Sequence, residues 1–388
     1  MGTLDKPAAG KTASERLVSI DALRGFDMFW IVGGEGLAEA IANWIGGPTK
    51  EFVREQLTHA DWAGFHFYDL IFPLFLFLVG VVLPFSLGKI RDRGQTGAAV
   101  YGRVIRRTAL LFFLGLVYYG FLQFNPPEQQ RYVGVLQRIA VCYLFAALIY
   151  LNTGLRGQVI ILLVILAGYW ALLGWVAPPD SSAGDYTKEH NLSGWVDRHY
   201  LPGKIFKDYY QYGDNEGLLS TLPAVGTALL GVLAGEWLRS QRARWLKLLG
   251  LMVAGGVCLG LGYLWGWWLP APYQFPVIKN IWTSSFVLWA GGWSLLLLAL
   301  FYGIIDVLQL RAWSVFFVVI GMNAITIYVA ERILNFANLS QFFLGGIAKV
   351  CRDQFGAPVQ QVILAAGALA LAWLLCFHLY RQRIFLRV

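Results

Sequence analysis

Runs of about twenty consecutive apolar residues recur along this chain, and that property decides what it can fold into. Residues 68–87, YDLIFPLFLFLVGVVLPFSL, are typical. Crossing a bilayer's hydrocarbon takes about 20 apolar residues as a helix, whereas a barrel strand would show roughly ten-residue alternation. Inside lipid every backbone N–H and C=O needs an internal partner, so long uniform runs mean helices. Runs at 25–45, 68–87, 104–122, 133–151, 158–176, 219–238, 246–268, 282–305, 313–333 and 359–380 predict about ten transmembrane helices. Composition agrees, with 57% hydrophobic and 14% charged residues against about 45–50% and ~25% in soluble domains. The fold class expected is an all-α polytopic membrane protein.

Charge sets the orientation. Arginine and lysine cluster at Lys89, Arg91, Arg93, Arg103, Arg106 and Arg107, then at Arg156, Arg239–Lys247, Arg311 and Arg381–Arg387. The connections between, 51–61, 126–128, 177–217 and 270–276, are acidic or neutral. Cytoplasmic loops carry the positive excess, so both termini are expected in the cytoplasm and residues near 59 on the opposite face. The net charge of +8 is thereby a topology signal, and no stacking platform accompanies it to suggest nucleic acid. Residues 1–15 are polar, lack the apolar core of a signal peptide, and read as an unordered cytoplasmic tail. Residues 16–388 read as one transmembrane domain with an outer loop at 177–217. That loop is far longer than a usual connection and rich in aromatics, including Trp195, Tyr200, Tyr209, Tyr210 and Tyr212, which suit either sugar stacking or contact with lipid headgroups. The cysteines Cys142, Cys258, Cys351 and Cys376 show no paired spacing, so neither metal nor disulfide is expected.

Polar residues in apolar surroundings mark the candidate site. His59 leads a short polar stretch that runs into the apolar helix holding Asp69, and an imidazole titrating near neutrality suits proton transfer from an attacking amine or hydroxyl. His66 is a second choice, while His190, His199 and His378 have little support. In the first run, Asp21 and Arg24 are spaced to pair on one helix face, and Gly33-Gly34-Glu35-Gly36 sets a carboxylate among glycines that permit close approach. Gln137 and Arg138 lie inside the fourth run, and Arg138 must be paired or reach an anion because it keeps its proton. Lys279, Trp282 and Ser284 open the eighth run, and Asn323 offers a buried amide that could equally be an interhelical tie. These intramembrane charges also fit a transporter, although no inverted repeat is visible. A membrane scaffold is the third option.

At these residues the chain resembles a known family, the transmembrane acetyltransferases typified by heparan-alpha-glucosaminide N-acetyltransferase and its bacterial relatives of the NagX type. The resemblance rests on S-x-D-x-x-R-G at Ser19–Gly25, H-A-x-W-x-G-x-x-x-x-D-L-x-F-P at His59–Pro73, G-V-L-Q-R at Gly134–Arg138, E-G-L-L at Glu216–Leu219, K-N-x-W-x-S at Lys279–Ser284 and G-M-N at Gly321–Asn323. Any one is weak; six in order over nearly the whole chain are specific. The resemblance implies transfer of acetyl from cytosolic acetyl-CoA, without a metal, to the amine of an amino sugar on the far side of a bacterial inner membrane. It places the catalytic histidine at His59, acting as general base or as an acetylated intermediate. Direct attack is favoured, because acetyl-imidazole hydrolyses readily in a wet site. Asp69 or Glu35 is expected to orient His59. Arg24, Arg138 and Lys279 are expected at coenzyme phosphates, and Ser284 and Asn323 at the acetyl or pantetheine, with Gln137 and Trp282 nearby. The family's lysosomal member has asparagine where this chain has Glu35. Oligomeric state stays open, with a homodimer as one option.

Overall fold

A computed structural model describes residues 17–94, 97–206 and 210–385. The tail at 1–15, Tyr209 and Arg387 lie outside the described residues. Among those described there is no strand, only two isolated bridges, Ala63 with Ile278 and Arg131 with Gly203. The helices are α1 (Val18–Phe29), α2 (Glu35–Ile45), α3 (Gly47–Leu57), α4 (Ile71–Asp92), α5 (Ala98–Tyr118), α6 (Val135–Asn152), α7 (Leu155–Trp175), α8 (Leu192–Tyr200), α9 (Thr221–Arg239), α10 (Arg244–Tyr263), α11 (Ser284–Tyr302), α12 (Val315–Gly321), α13 (Ala324–Leu334), α14 (Phe336–Phe355) and α15 (Ala357–Arg381).

All ten expected runs are helical, but not all as continuous spans. Seven helices among the described residues are long and apolar enough to cross a membrane, and the α12–α13 pair makes an eighth if counted as one span bent by 65°. The first run differs because Gly33 adopts φ +141° inside a π-helical turn between α1 and α2, a conformation that strains any residue with a Cβ. The third, α5, carries Arg103, Arg106 and Arg107 within its length. Helix α14 was not anticipated, because Gln341, Lys349, Arg352 and Asp353 interrupt its apolar residues.

Helices α4 and α9 form the centre, their spans mostly buried, whereas α7, α10 and α15 expose most of theirs as lipid-facing helices do. The central pair packs backbone against backbone. A Cβ on Gly80 would stand 1.9 Å from the carbonyl oxygen of Ala228, and one on Gly231 1.9 Å from that of Phe77. Small residues let membrane helices approach this closely, where lipid supplies no hydrophobic drive between them. Helices α1 and α12 do the same through Gly25 and Gly321.

The two ends of the bundle differ chemically. At one, Arg91 pairs with Glu236 at 2.5 Å, Arg239 pairs with Asp92, and Asp306 accepts the Ser19 backbone N–H at 3.3 Å. At the other lie the His59 loop, the 177–217 segment and the turn before α11. This second end is ordered by buried polar contacts: Arg131 meets Asp214 and Glu216, each at 2.6 Å, and Asn191 caps α8 by accepting from Gly194. Tyr210 and Tyr212 pack into a small core there with Trp62 and Trp195, while Tyr200 stays exposed.

Candidate active site

Asp69 organises the site. It sits in the 3₁₀ turn Phe67–Leu70 that starts α4, 1% exposed. One carboxylate oxygen accepts the backbone N–H groups of Ala60 at 3.1 Å and His66 at 3.0 Å. The other lies 2.8 Å from Nδ1 of His59 and 3.2 Å from Nζ of Lys279. The short polar stretch therefore closes on itself around one carboxylate, whose place beside Nδ1 favours the tautomer with Nδ1–H donating, the arrangement by which a carboxylate sets an imidazole's tautomer. His66 is used differently, its Nδ1 lying 3.0 Å from the Thr58 carbonyl oxygen, so it closes the loop.

Lys279 arrives from 220 residues away. The Gly64 N–H donates to the Val277 carbonyl at 2.9 Å, and the Ala63–Ile278 bridge continues the pairing. A turn closed by Trp282 N–H to the Lys279 carbonyl, with Trp282 at φ +51°, aims the lysine at His59. Its Nζ lies 2.9 Å from Nδ1 and 3.3 Å from Nε2 of the ring. Burial pushes the His59 pKa down, Asp69 opposes that, and the Lys279 charge adds to it. Together these influences favour the neutral ring, the form a base needs. Burial likewise pulls the Lys279 ammonium below its usual range, against the pull of Asp69.

His59, Lys279, Tyr68, Trp282, Asn215 and Glu216 share a cavity of about 200 Å³ whose deeper walls are apolar. A second cavity, about 680 Å³, opens at the opposite end among Arg24, Arg103, Arg106 and Arg107. Phe75, Ile139, Ala324 and Ile325 belong to the walls of both. Four side chains therefore stand between the arginine-lined chamber and the imidazole.

The residues expected at a site divide into groups. His59, Asp69 and Trp282 come together. Lys279, expected at coenzyme phosphates, joins them instead, because the pairing of 63–64 with 277–278 ties its turn to the His59 loop. Glu35 reaches the site indirectly, through a hydrogen bond with the Tyr68 side chain, and Tyr68 faces the His59 ring at 5.3 Å between centroids. Arg24 lies in the larger cavity with Asp21 3.9 Å away. Asn323 is buried at the α12–α13 break with neither amide atom hydrogen-bonded, between residues that line the cavities. Three positions fall elsewhere. The Ser284 hydroxyl donates to the Leu166 carbonyl at 2.7 Å, a helix-to-helix tie. Arg138 donates to Ser220 Oγ at 2.5 Å and the Gly217 carbonyl at 3.2 Å, while Gln137 lines a separate crevice with it. Sequence reasoning gave no role to Tyr68, Asn215 and Glu216, and read Arg103, Arg106 and Arg107 as topology alone. The Glu216-Gly217-Leu218-Leu219 motif was the available signal.

The chain is 27% identical to human heparan-alpha-glucosaminide N-acetyltransferase over 96% of its own length and 60% of that protein's. It is 24% identical to the mouse protein of the same name over 99% of its length and 62% of that protein's. It thus spans about 60% of the length of these relatives. The family model described as "Heparan-alpha-glucosaminide N-acetyltransferase, catalytic" matches residues 16–261, more than half of the chain, and the protein is accordingly a member of the heparan-alpha-glucosaminide N-acetyltransferase catalytic family.

Proposed function

We propose that this protein is a transmembrane N-acetyltransferase that moves acetyl from cytosolic acetyl-CoA to the amine of a glucosamine-type sugar outside, as a NagX-type member in a bacterial inner membrane. The observation that carries the reading is the wall shared by the His59 cavity and the arginine-lined cavity at the opposite end. A donor with a phosphate-rich head and a long thin arm matches that division: Arg24, Arg103, Arg106 and Arg107 take phosphates by charge-assisted bonds, and the arm passes between Phe75, Ile139, Ala324 and Ile325. With the basic clusters inside, His59 faces the periplasm.

The chemistry follows from the contacts. The sugar amine, hydrogen-bonded to Nε2 of His59, attacks the thioester carbonyl; a new C–N bond forms and the carbonyl electrons move onto oxygen. His59 takes the amine proton, and Asp69 holds the imidazolium. Lys279, whose Nζ lies within 3.3 Å of both ring nitrogens, supplies positive charge near the oxyanion, the larger share of stabilisation in most acyl transfers. Collapse breaks the C–S bond, and the thiolate leaves with the proton held by His59. Asn215 Oδ1, buried without a hydrogen-bond partner, and Glu216 offer acceptors to sugar hydroxyls. Purified protein given acetyl-CoA and glucosamine tests the reading: thiol release with N-acetyl product, abolished in His59→Ala, supports it. Sugar counterflow without thiol release would make the protein a transporter instead.

A further inference from the structure

A third cavity, a crevice of about 490 Å³, lies apart from the acetyl-transfer path. It runs down α6 from Gln137 past Val141 and Phe145 to Ile149, with Phe112 of α5 on one side and Ile165 and Val225 on the other. Gln137 to Ile149 spans twelve residues, about 18 Å of helix at 1.5 Å per residue, so it reaches beyond the middle of a ~30 Å hydrocarbon layer. An apolar slot at that depth, with Phe145 half exposed at its edge, holds hydrocarbon and not water.

Its outer end is polar and unsatisfied. Gln137 is 2% exposed with neither Oε1 nor Nε2 hydrogen-bonded, and Arg138, also 2% exposed, leaves Nε and Nη1 without an acceptor. The neighbouring carboxylates are engaged elsewhere: Asp214 and Glu216 are both held by Arg131, and Asp197 accepts the backbone N–H groups of Asp214 and Leu218. Buried polar groups in native proteins have partners. Among the groups left without partners donors dominate, with one amide oxygen among them, because the Glu216 carboxylate that lines the same crevice is held by Arg131; they call for a ligand head rich in acceptors that also carries a hydroxyl.

We infer that this crevice binds a diacyl phosphodiester lipid with a hydroxylated headgroup, of the phosphatidylglycerol type. One acyl chain lies along Val141, Phe145 and Ile149, the phosphodiester oxygens accept from Arg138 and the Gln137 amide N–H, and a headgroup hydroxyl donates to Gln137 Oε1. Glu216 lines both this crevice and the His59 cavity, so the lipid buttresses the wall of the candidate active site from behind. Binding does not depend on the acetyl-transfer reading.

The test is native mass spectrometry and thermal melting of delipidated full-length protein in detergent, with phosphatidylglycerol, diacylglycerol or glycerol phosphate added. Ligands that bind only the folded state raise the melting temperature by mass action. The expected result is retention of phosphatidylglycerol and a melting temperature several degrees higher with it, but not with diacylglycerol or glycerol phosphate. Val141→Trp, which fills the slot, abolishes both effects. Gln137→Leu, which adds no bulk, weakens binding about tenfold, and it decides the matter should the tryptophan variant fail to fold. Equal binding of diacylglycerol, binding of glycerol phosphate alone, or unchanged phosphatidylglycerol binding in Gln137→Leu overturns the proposal.

Discussion

The Lys279 ammonium stands 2.9 Å from Nδ1 and 3.3 Å from Nε2 of His59, a cation placed against an imidazole. In the proposed reaction the charge that would steady an oxyanion also opposes protonation of the ring. As a base, His59 works only when neutral, so activity rises with pH through its pKa. That pKa lies below the ordinary ~6.5, and the acid limb of kcat/KM is expected below that value. Lys279→Met removes a depressing charge: the acid limb moves to higher pH while kcat falls roughly 10²–10³-fold, the usual cost of one oxyanion donor. The basic limb, which in the wild type reports loss of the Lys279 proton below its ordinary range, flattens. A pH profile of the variant with unmoved limbs contradicts this role.

Asp69→Asn has the opposite sign. Asp69 raises the His59 pKa, so its loss shifts the acid limb to lower pH. It also releases the ring's tautomer and the backbone N–H groups of Ala60 and His66. The expected fall in kcat is about 10²–10⁴-fold, with little change in KM for the acceptor. Steady-state kinetics at the pH plateau separates the two effects.

The arginine-lined chamber predicts a binding defect. Arg103→Ala with Arg107→Ala is expected to raise KM for acetyl-CoA at least tenfold and to leave kcat at saturation near the wild-type value, since charge-assisted hydrogen bonds contribute about 1.5–3 kcal/mol each. Initial rates against acetyl-CoA concentration measure it. A fall in kcat at unchanged KM would place the donor elsewhere.

The central helix pair predicts a fold defect remote from the chemistry. Gly80→Ala drives a methyl to 1.9 Å from the Ala228 carbonyl, so α4 and α9 must separate. Overpacking of this sort costs about 1–3 kcal/mol. The melting temperature of purified protein falls, whereas Gly36→Ala, whose Cβ meets nothing within 4 Å, leaves it unchanged or slightly raised.

Much of this was legible in the sequence because membrane constraints are simple. Long apolar runs can only be helices, and the ten runs are helical. His59 and Asp69 stood out as titratable groups where lipid begins, and local chain geometry alone brings residues ten apart together. What could not be read was long-range. Nothing in the Lys279 segment shows that 277–278 pairs with 63–64, so the lysine's partner is visible only in three dimensions. Ser284 and Arg138 draw attention as polar side chains in apolar runs, and only the structure shows that Ser284 ties to Leu166 and that Arg138 uses one nitrogen on Gly217 and Ser220, outside the His59 cavity. Of the two helix breaks, the one at Gly33 had a signal in the Gly33-Gly34-Glu35-Gly36 run, whereas the one at Asn323 was hidden because the apolar pattern continues across it. Arg103, Arg106 and Arg107, read from charge counting as a topology signal, also line a cavity, which charge counting does not register.

The central claim is that acetyl crosses from one face of the membrane to an acceptor on the other, and sealed proteoliposomes of uniform orientation test it most directly. Labelled acetyl-CoA, which does not cross lipid, is supplied on the side of the basic clusters and glucosamine is enclosed on the His59 side. The account predicts labelled N-acetyl product on the His59 side only, absent in His59→Ala. Product formed only when both substrates share one compartment would contradict it.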